Sequence, residues 1–312
     1  MTLSLTFPGQ GSQSVGMGKK LAETFPEARA VFEEVDAALS QNLSTLMFDG
    51  PEDELTLTAN AQPALMAVSM AVVRVLEANG FDVGSASFAA GHSLGEYAAH
   101  AAVGTFSLAD TARLLRIRGD AMQAAVPVGE GAMAAIIGLQ ASDVAALCEE
   151  ASASGVCQIA NDNGGGQLVI SGAKAPVEAA AEAAKGKGAK RALMLPVSAP
   201  FHSALMAPAA NAMREALGNV TVNTPKIPVV TNVNVAPTSN PAQIVEDLVN
   251  QVTGQVRWRE TVEWFAQSGV ITLAEIGSGK VLTGLARRIN RELSGVAIGT
   301  PADIEAFLEA RA

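Results

Sequence analysis

Ala86-Ser87-Phe88-Ala89-Ala90-Gly91-His92-Ser93-Leu94-Gly95-Glu96 is the stretch that decides the fold. Residues 86–90 read as a short apolar strand, and 96–103 resume helical character. Between them Gly91-His92-Ser93-Leu94-Gly95 fits G-x-S-x-G, the pattern that sets a serine on a sharp strand-to-helix turn. A β-carbon two positions to either side of that serine would collide with neighbouring backbone, and the helix start behind it offers free N–H donors. The competing reading is a glycine-flanked turn with an ordinary N-cap serine. The strand before and the helix after favour the elbow, and that order of elements indicates an α/β architecture.

Upstream, the alternation Leu3, Leu5, Phe7 gives a first strand that runs into Pro8-Gly9-Gln10-Gly11-Ser12-Gln13. Helical patterns follow at 16–40 and 62–79, the second opening at Gln62-Pro63-Ala64-Leu65 and stopping at Gly80. Downstream the grammar changes between 127 and 197. There the order is strand 131–137, helix 141–153, strands 156–160 and 167–171 across Gly164-Gly165-Gly166, helix 174–186 and strand 192–197. That βαββαβ order is ferredoxin-like. It predicts a small subdomain, 127–197, inserted into a larger α/β-hydrolase-like domain with a parallel sheet built from 1–126 and 198–312, the cleft lying between them. Beyond 198 the strand candidates are 227–231 and 270–275, with helices near 203–217, 241–252, 259–268 and 280–293.

A chain of 312 residues with 49% hydrophobic and 17% charged content can bury a large core. Its 21 Lys and Arg against 31 Asp and Glu give a charge of -10, which argues against non-specific binding to nucleic acid or an anionic membrane. No uninterrupted apolar run reaches the length of a spanning helix, and the N-terminus lacks a basic segment followed by an apolar one. A cytoplasmic protein is expected. Cys148 and Cys157 have no CxxC spacing and only three histidines are present, so no metal site is expected and both thiols read as reduced core residues.

An elbow serine needs a base, and the choices are His92, His100 and His202. His92 adjoins the serine at a strand end and should point away from it. His100, seven residues on in the following helix, reads as a packed or surface histidine. His202 lies in Pro196-Val197-Ser198-Ala199-Pro200-Phe201-His202-Ser203, where a strand leaves the small subdomain and turns into a helix start. A base can enter the cleft from there, although a plain helix-start histidine fits the same residues. No Asp or Glu sits in an obvious loop before His202, so a dyad held by a backbone carbonyl is the simpler expectation.

Taken together, Phe7-Pro8-Gly9-Gln10-Gly11-Ser12-Gln13, Gln62-Pro63-Ala64-Leu65, the elbow with Glu96-Tyr97, Arg118-Gly119, Ala199-Pro200-Phe201-His202-Ser203 and Glu275-Ile276-Gly277-Ser278-Gly279-Lys280-Val281-Leu282 resemble the malonyl-CoA:acyl carrier protein transacylase family. The resemblance covers essentially the whole chain. It implies malonyl transfer from malonyl-CoA to the phosphopantetheine thiol of acyl carrier protein in fatty-acid synthesis, through a serine acyl-enzyme and with no cofactor of its own. Ser93 would be the acylated nucleophile and His202 its base, with the backbone N–H groups of Gln10 and Leu94 as oxyanion hole. Arg118 would bind the malonyl carboxylate, and the main-chain carbonyl of Gln251 would orient His202. The sequence departs from the family at Ser278, where proline is frequent, and in the glycine-rich 161–166 turn; neither touches the proposed chemistry.

Two of these roles have independent physical support. Gln10 and Leu94 both follow strands expected in one parallel sheet, so their amides can aim at one point. Arg118 shares a helix face with Leu114, Leu115 and Met122, and an arginine on a buried stripe needs an anionic partner. A substrate carboxylate, a structural ion pair with a buried acid, and a side chain snorkelling to solvent all remain open for it. An acidic carrier meeting an acidic enzyme also requires local basic patches. The candidates are Lys187, Lys190 and Arg191, with Lys185 beside them, and Arg287 and Arg288, with Arg291; solvated faces are the bland alternative. A free-standing polyketide acyltransferase, a serine thioesterase and a non-catalytic carrier-binding scaffold are the competing functions. A monomer is expected.

Overall fold

The computed structural model of the chain describes residues 2–197 and 199–311. Ser198, on the border expected between the two halves, lies outside the described residues. The first part contains β1 (Leu3–Phe7), α1 (Lys19–Thr24), α2 (Pro26–Leu39), α3 (Leu43–Asp49), α4 (Glu52–Thr56), α5 (Thr58–Ala78), β2 (Phe88–Gly91), α6 (Leu94–Ala102) and α7 (Leu108–Ala124). The middle part contains β3 (Gly131–Ile137), α8 (Ala141–Ala151), β4 (Cys157–Asp162), β5 (Gln167–Ala173), α9 (Lys174–Gly186) and β6 (Arg191–Met194). The last part contains α10 (Ala207–Gly218), β7 (Val229–Val230), β8 (Pro237–Thr238), α11 (Pro241–Thr253), α12 (Trp258–Gln267), β9 (Thr272–Ile276), α13 (Val281–Ile289), β10 (Ser294–Ile298) and α14 (Pro301–Glu309).

The larger sheet has the order β10-β9-β1-β2-β7-β8, parallel except for the antiparallel β8. Every residue of β1 is buried, Ser4 and Thr6 included, because helices cover both sheet faces. Leu5, Phe7, Ala89 and Val229 join the core with α2, α5 and α7, while Ala90, Val230 and Leu273 face α12 and α13. α5 is long and apolar enough to cross a membrane by length and composition, yet 89% of its most apolar window is buried inside this core.

The smaller sheet is antiparallel in the order β4-β5-β3-β6, the expected ferredoxin-like arrangement for βαββαβ. Its outer face packs α8 and α9 through Val144, Leu147, Val177 and Ala180, with buried, free Cys148 and Cys157 in the same cluster. The opposite face carries Met133, Ala160 and Val169, packed against Leu195, Val197 and Phe201. The end of β4 is tied to the larger sheet's side of the molecule. Asp162 N donates to Val256 O at 2.9 Å, Val256 N donates to Ala160 O at 2.8 Å, and Arg259 pairs with Asp162 at 2.8 Å.

Several elements differ from expectation. The 16–40 helix is two helices, because Phe25 is extended (φ -121°, ψ 123°) before Pro26, which opens α2. α5 starts at Thr58, so Pro63 lies inside it rather than at its start. The 192–197 strand stops at Met194, and the helix expected to 293 stops at Ile289. β10 and α14 were not anticipated, although Thr300-Pro301-Ala302-Asp303 forms a capping box with proline in the first turn.

Candidate active site

β1 and β2 pair in register, Phe7 opposite Gly91, and both strands end at the same edge of the sheet. Three residues beyond that pair stand Gln10 and Leu94. Leu94 N belongs to the first residue of α6, so it has no carbonyl one turn earlier to accept its hydrogen. Ser93 between them has φ 54° and ψ -112°, a conformation L-residues rarely adopt and one that surrounding structure must impose. The flanking glycines are required by contact: a β-carbon would lie 1.9 Å from Gly95 C at Gly91, and 2.2 Å from Phe7 O at Gly95. Asn232, just past β7, fixes the elbow from beneath. Its Oδ1 accepts from Ser93 N at 2.8 Å, and its Nδ2 donates to Gly91 O at 2.7 Å.

Ser93 Oγ lies 2.7 Å from His202 Nε2. Nδ1 of His202 faces the carbonyls of Gln251 (2.9 Å) and Gly254 (3.1 Å). Two acceptors at Nδ1 demand that the proton sit there, which leaves Nε2 free to accept the Ser93 hydroxyl proton. The backbone-held dyad expected from the sequence is therefore the observed geometry, with Gly254 as a second anchor. Burial, aided by the nearby Arg118 cation, lowers the His202 pKa to about 3. The neutral, proton-accepting form thus persists well below the usual histidine range. With malonyl-CoA saturating at every pH, the rate of enzyme acylation should accordingly stay flat from pH 8 down to about pH 5. Quenched-flow measurement checks this, and a fall centred near pH 6.5 would contradict it.

Arg118 on α7 is 1% exposed, which rules out snorkelling, and among the described residues it forms no direct ion pair. Its guanidinium instead donates to Gln62 Oε1 (2.6 Å), Gln251 Oε1 (2.9 Å) and Ser93 Oγ (3.1 Å), and lies over the Tyr97 ring. A buried cation held by neutral amides, within reach of the nucleophile, is a ready carboxylate site. Gln62 and the Gln251 side chain had no expected role. Gln62 carried the same signal as Arg118, a polar residue inside an apolar helix.

The other two histidines are elsewhere engaged. His92 Nε2 meets Asn163 Oδ1 at 2.9 Å across the cleft, and buried His100 Nδ1 meets Thr105 Oγ1 at 3.1 Å. Gln10, Ser93, Leu94, Arg118 and His202 line one cavity of about 380 Å³, closed from the small-sheet side by Met133, Val169, Leu195, Val197 and Phe201. Gln251 does not line the cavity; it lies beneath the elbow, bonded to Ser93 O, Glu96 and Arg118. Lys187, Lys190, Arg191, Arg287 and Arg288 are outside the cavity. Arg287, Arg288 and Arg291 instead line a second, open cavity of about 720 Å³ with Gly165 and Gly284.

An elbow serine bonded to a carbonyl-anchored histidine, inside a cleft at the carboxyl edge of an α/β sheet, is the arrangement of an acyl-transfer enzyme. The chain belongs to the acyl transferase domain family, matched over residues 5–298, and within it to the malonyl CoA-acyl carrier protein transacylases. It is 47% identical to the malonyl CoA-acyl carrier protein transacylase of Escherichia coli strain K12 over 307 residues, 98% of each chain. The crystal structure of acyl-carrier-protein-S-malonyltransferase from Bartonella henselae is similar with a TM-score of 0.98 and 64% identity, covering 99% of both chains. A malonyl-transacylase solved in complex with its type II PKS acyl-carrier protein gives 0.96 and 43%, covering 99% of this chain and 100% of that one.

Proposed function

We propose that the protein transfers the malonyl group from malonyl-CoA to the phosphopantetheine thiol of acyl carrier protein, by a ping-pong mechanism through malonyl-Ser93, in fatty-acid synthesis. The observation that carries this reading is the buried Arg118 guanidinium 3.1 Å from Ser93 Oγ. A hydrolase of neutral acyl groups has no use for a desolvated cation there. In the first half-reaction His202 Nε2 takes the Ser93 proton as Oγ attacks the thioester carbonyl. The oxyanion points to the Gln10 and Leu94 amides, and the acyl carboxylate lies in the Arg118 fork. Collapse expels CoA thiolate, which takes the proton from His202. In the second half-reaction His202 deprotonates the carrier thiol, the thiolate attacks malonyl-Ser93, and Ser93 recovers its proton. No cofactor enters this scheme.

The segments 1–126 with 198–312, and 127–197, act as the two domains whose apposed faces shape the acyl cavity. A cytoplasmic monomer fits this scheme, since CoA thioesters are available there and every proposed residue comes from one chain. Intact mass after mixing with malonyl-CoA tests the function. A lasting malonyl adduct that disappears on adding holo carrier, with malonyl gained by the carrier, is expected. Rapid free malonate with no adduct would make the enzyme a hydrolase, and neither adduct nor turnover would leave only a scaffold.

The carrier reaches the cavity mouth over the basic residues Lys187, Lys190, Arg191, Arg287 and Arg288. Lys185 is paired with Glu182 at 2.7 Å and is dropped from this group. The two clusters flank one turn: Lys190 packs on Gly138, Gly138 N donates to Gly166 O at 2.8 Å, and Gly165 abuts Arg288. The same turn follows Asn163, which lines the acyl cavity. Reversing charge with Lys190→Glu or Arg287→Glu should raise KM for the carrier about tenfold at low salt. Self-acylation by malonyl-CoA should stay nearly unchanged. An unchanged carrier KM in both variants removes the clusters from the docking surface.

A further inference from the structure

Beneath the elbow lies an acid that the proposed mechanism leaves unused. Glu96, on the first turn of α6, is fully buried. Its Oε2 accepts from Asn232 N at 3.0 Å and from Gln251 Nε2 at 2.8 Å, while Oε1 has no hydrogen-bond partner among the described residues. Both partners reach the reaction centre. Asn232 holds Ser93 N, and Gln251 passes its side-chain oxygen to Arg118 and its main-chain oxygen to His202. We propose that Glu96 is a positioning residue that also balances charge, ionised while Arg118 is free and protonated at Oε1 when a malonyl carboxylate occupies the Arg118 fork. The substrate carboxylate is then bound together with one proton from solvent. This inference rests on the reading of Arg118 as the carboxylate site.

An ionised carboxylate with one unsolvated, unbonded oxygen is tolerable in the interior only beside a compensating cation. The charged groups that bear on Glu96 are Arg118 from α7 and Asp247 from α11. Asp247 opposes its ionisation, and Asp247 Oδ1 is itself held by Asn234 (2.6 Å) and Gln243 (2.8 Å). β1, β2 and β7, which also pack on α6, contain no charged residue, and in α5 the ionisable side chains are Arg74 and Glu77, paired with each other away from the site. On its own helix Tyr97 stays protonated, burial raising its pKa, and His100 stays neutral. His92 is kept neutral by burial, as is His202, so neither competes for the proton near neutral pH. Burial raises the Glu96 pKa to about 7, close to the point at which a second anion at Arg118 tips it to the acid form. Among the described residues Arg118 is thus the one cation facing Glu96, and the malonyl carboxylate claims it.

Titration calorimetry on Ser93→Ala, which binds without reacting, gives the test. Malonyl-CoA and acetyl-CoA are compared because they share every phosphate and differ at the carboxylate. The Kd for malonyl-CoA should rise about tenfold from pH 6.5 to 8.5, with proton uptake at pH 7.5 seen as a buffer-dependent heat, while acetyl-CoA shows neither. Ser93→Ala/Glu96→Gln should flatten the malonyl profile and remove the uptake, because glutamine keeps an acceptor for Asn232 and Gln251 and cannot titrate. A flat profile in Ser93→Ala alone, or uptake surviving in the Glu96→Gln variant, overturns the proposal; should that variant not fold, the malonyl–acetyl difference in Ser93→Ala still decides. Ser93→Ala/Arg118→Ala reports on the underlying reading separately. If it keeps the malonyl preference, the carboxylate site is wrong; if it loses the preference while uptake persists in Glu96→Gln, the Glu96 inference alone fails.

Discussion

Ser93→Ala should remove the malonyl-enzyme entirely, and His202→Ala should slow its formation by about 10²–10⁴-fold, the range of a positioned general base. Both effects follow from one contact, Ser93 Oγ to His202 Nε2 at 2.7 Å. A serine hydroxyl is a weak nucleophile until its proton has somewhere to go, and the imidazole is held ready because Nδ1 is committed to the Gln251 and Gly254 carbonyls. Removing the ring leaves those two carbonyls without their donor, at a cost to stability of about 1–3 kcal/mol. The fold should survive this, since the loss is confined to a loop edge of a large core. Intact mass gives the covalent result, quenched flow the rate, and thermal denaturation the control. Labelled malonyl recovered on another residue in wild type, or a normal adduct in Ser93→Ala, would end the assignment.

The elbow was legible because one local pattern carries the whole geometry: Gly91 and Gly95 are needed by contacts that the strand–turn–helix connection itself creates. The small sheet was legible for a similar reason, each of its turns being marked by glycine between runs of clear period. The layer that holds the site in place was not. Asn232 is 139 residues from Ser93, and the Gln251 side chain is 133 from Arg118, so no spacing rule links them. Only the register of β2 with β7 and the packing of α11 bring them together. Burial of Arg118 pointed to an anionic partner, a substrate carboxylate or a buried acid, or else to snorkelling; the structure instead gives the guanidinium the side-chain oxygens of Gln62, Gln251 and Ser93, which no helix-face pattern identifies. At the C-terminal end β10 escaped notice because three of its five residues are exposed, as befits an edge strand without a continuous apolar run.

Arg118→Ala should reduce kcat/KM for malonyl-CoA by about 10²–10³-fold, the loss appropriate to a desolvated carboxylate deprived of its paired cation. Acetyl-CoA, with no carboxylate to place, should lose far less, so the acetyl-to-malonyl ratio rises. The rest of the machinery stays in place in this variant. His202 is held by main-chain carbonyls, and Gln251 keeps its bonds to Ser93 O (2.9 Å) and Glu96 (2.8 Å), so the placement of His202 beside Ser93 does not depend on the guanidinium. Arg118→Lys should fall between, because an ammonium supplies charge without the planar fork that meets both carboxylate oxygens and both glutamine amides. Competition between malonyl-CoA and acetyl-CoA for one enzyme, read as the ratio of the two acyl-enzymes by mass, measures the preference directly. An equal loss for both substrates would mean that Arg118 serves only to order Gln62, Gln251 and Ser93, and no loss for either would move the carboxylate site elsewhere in the cavity.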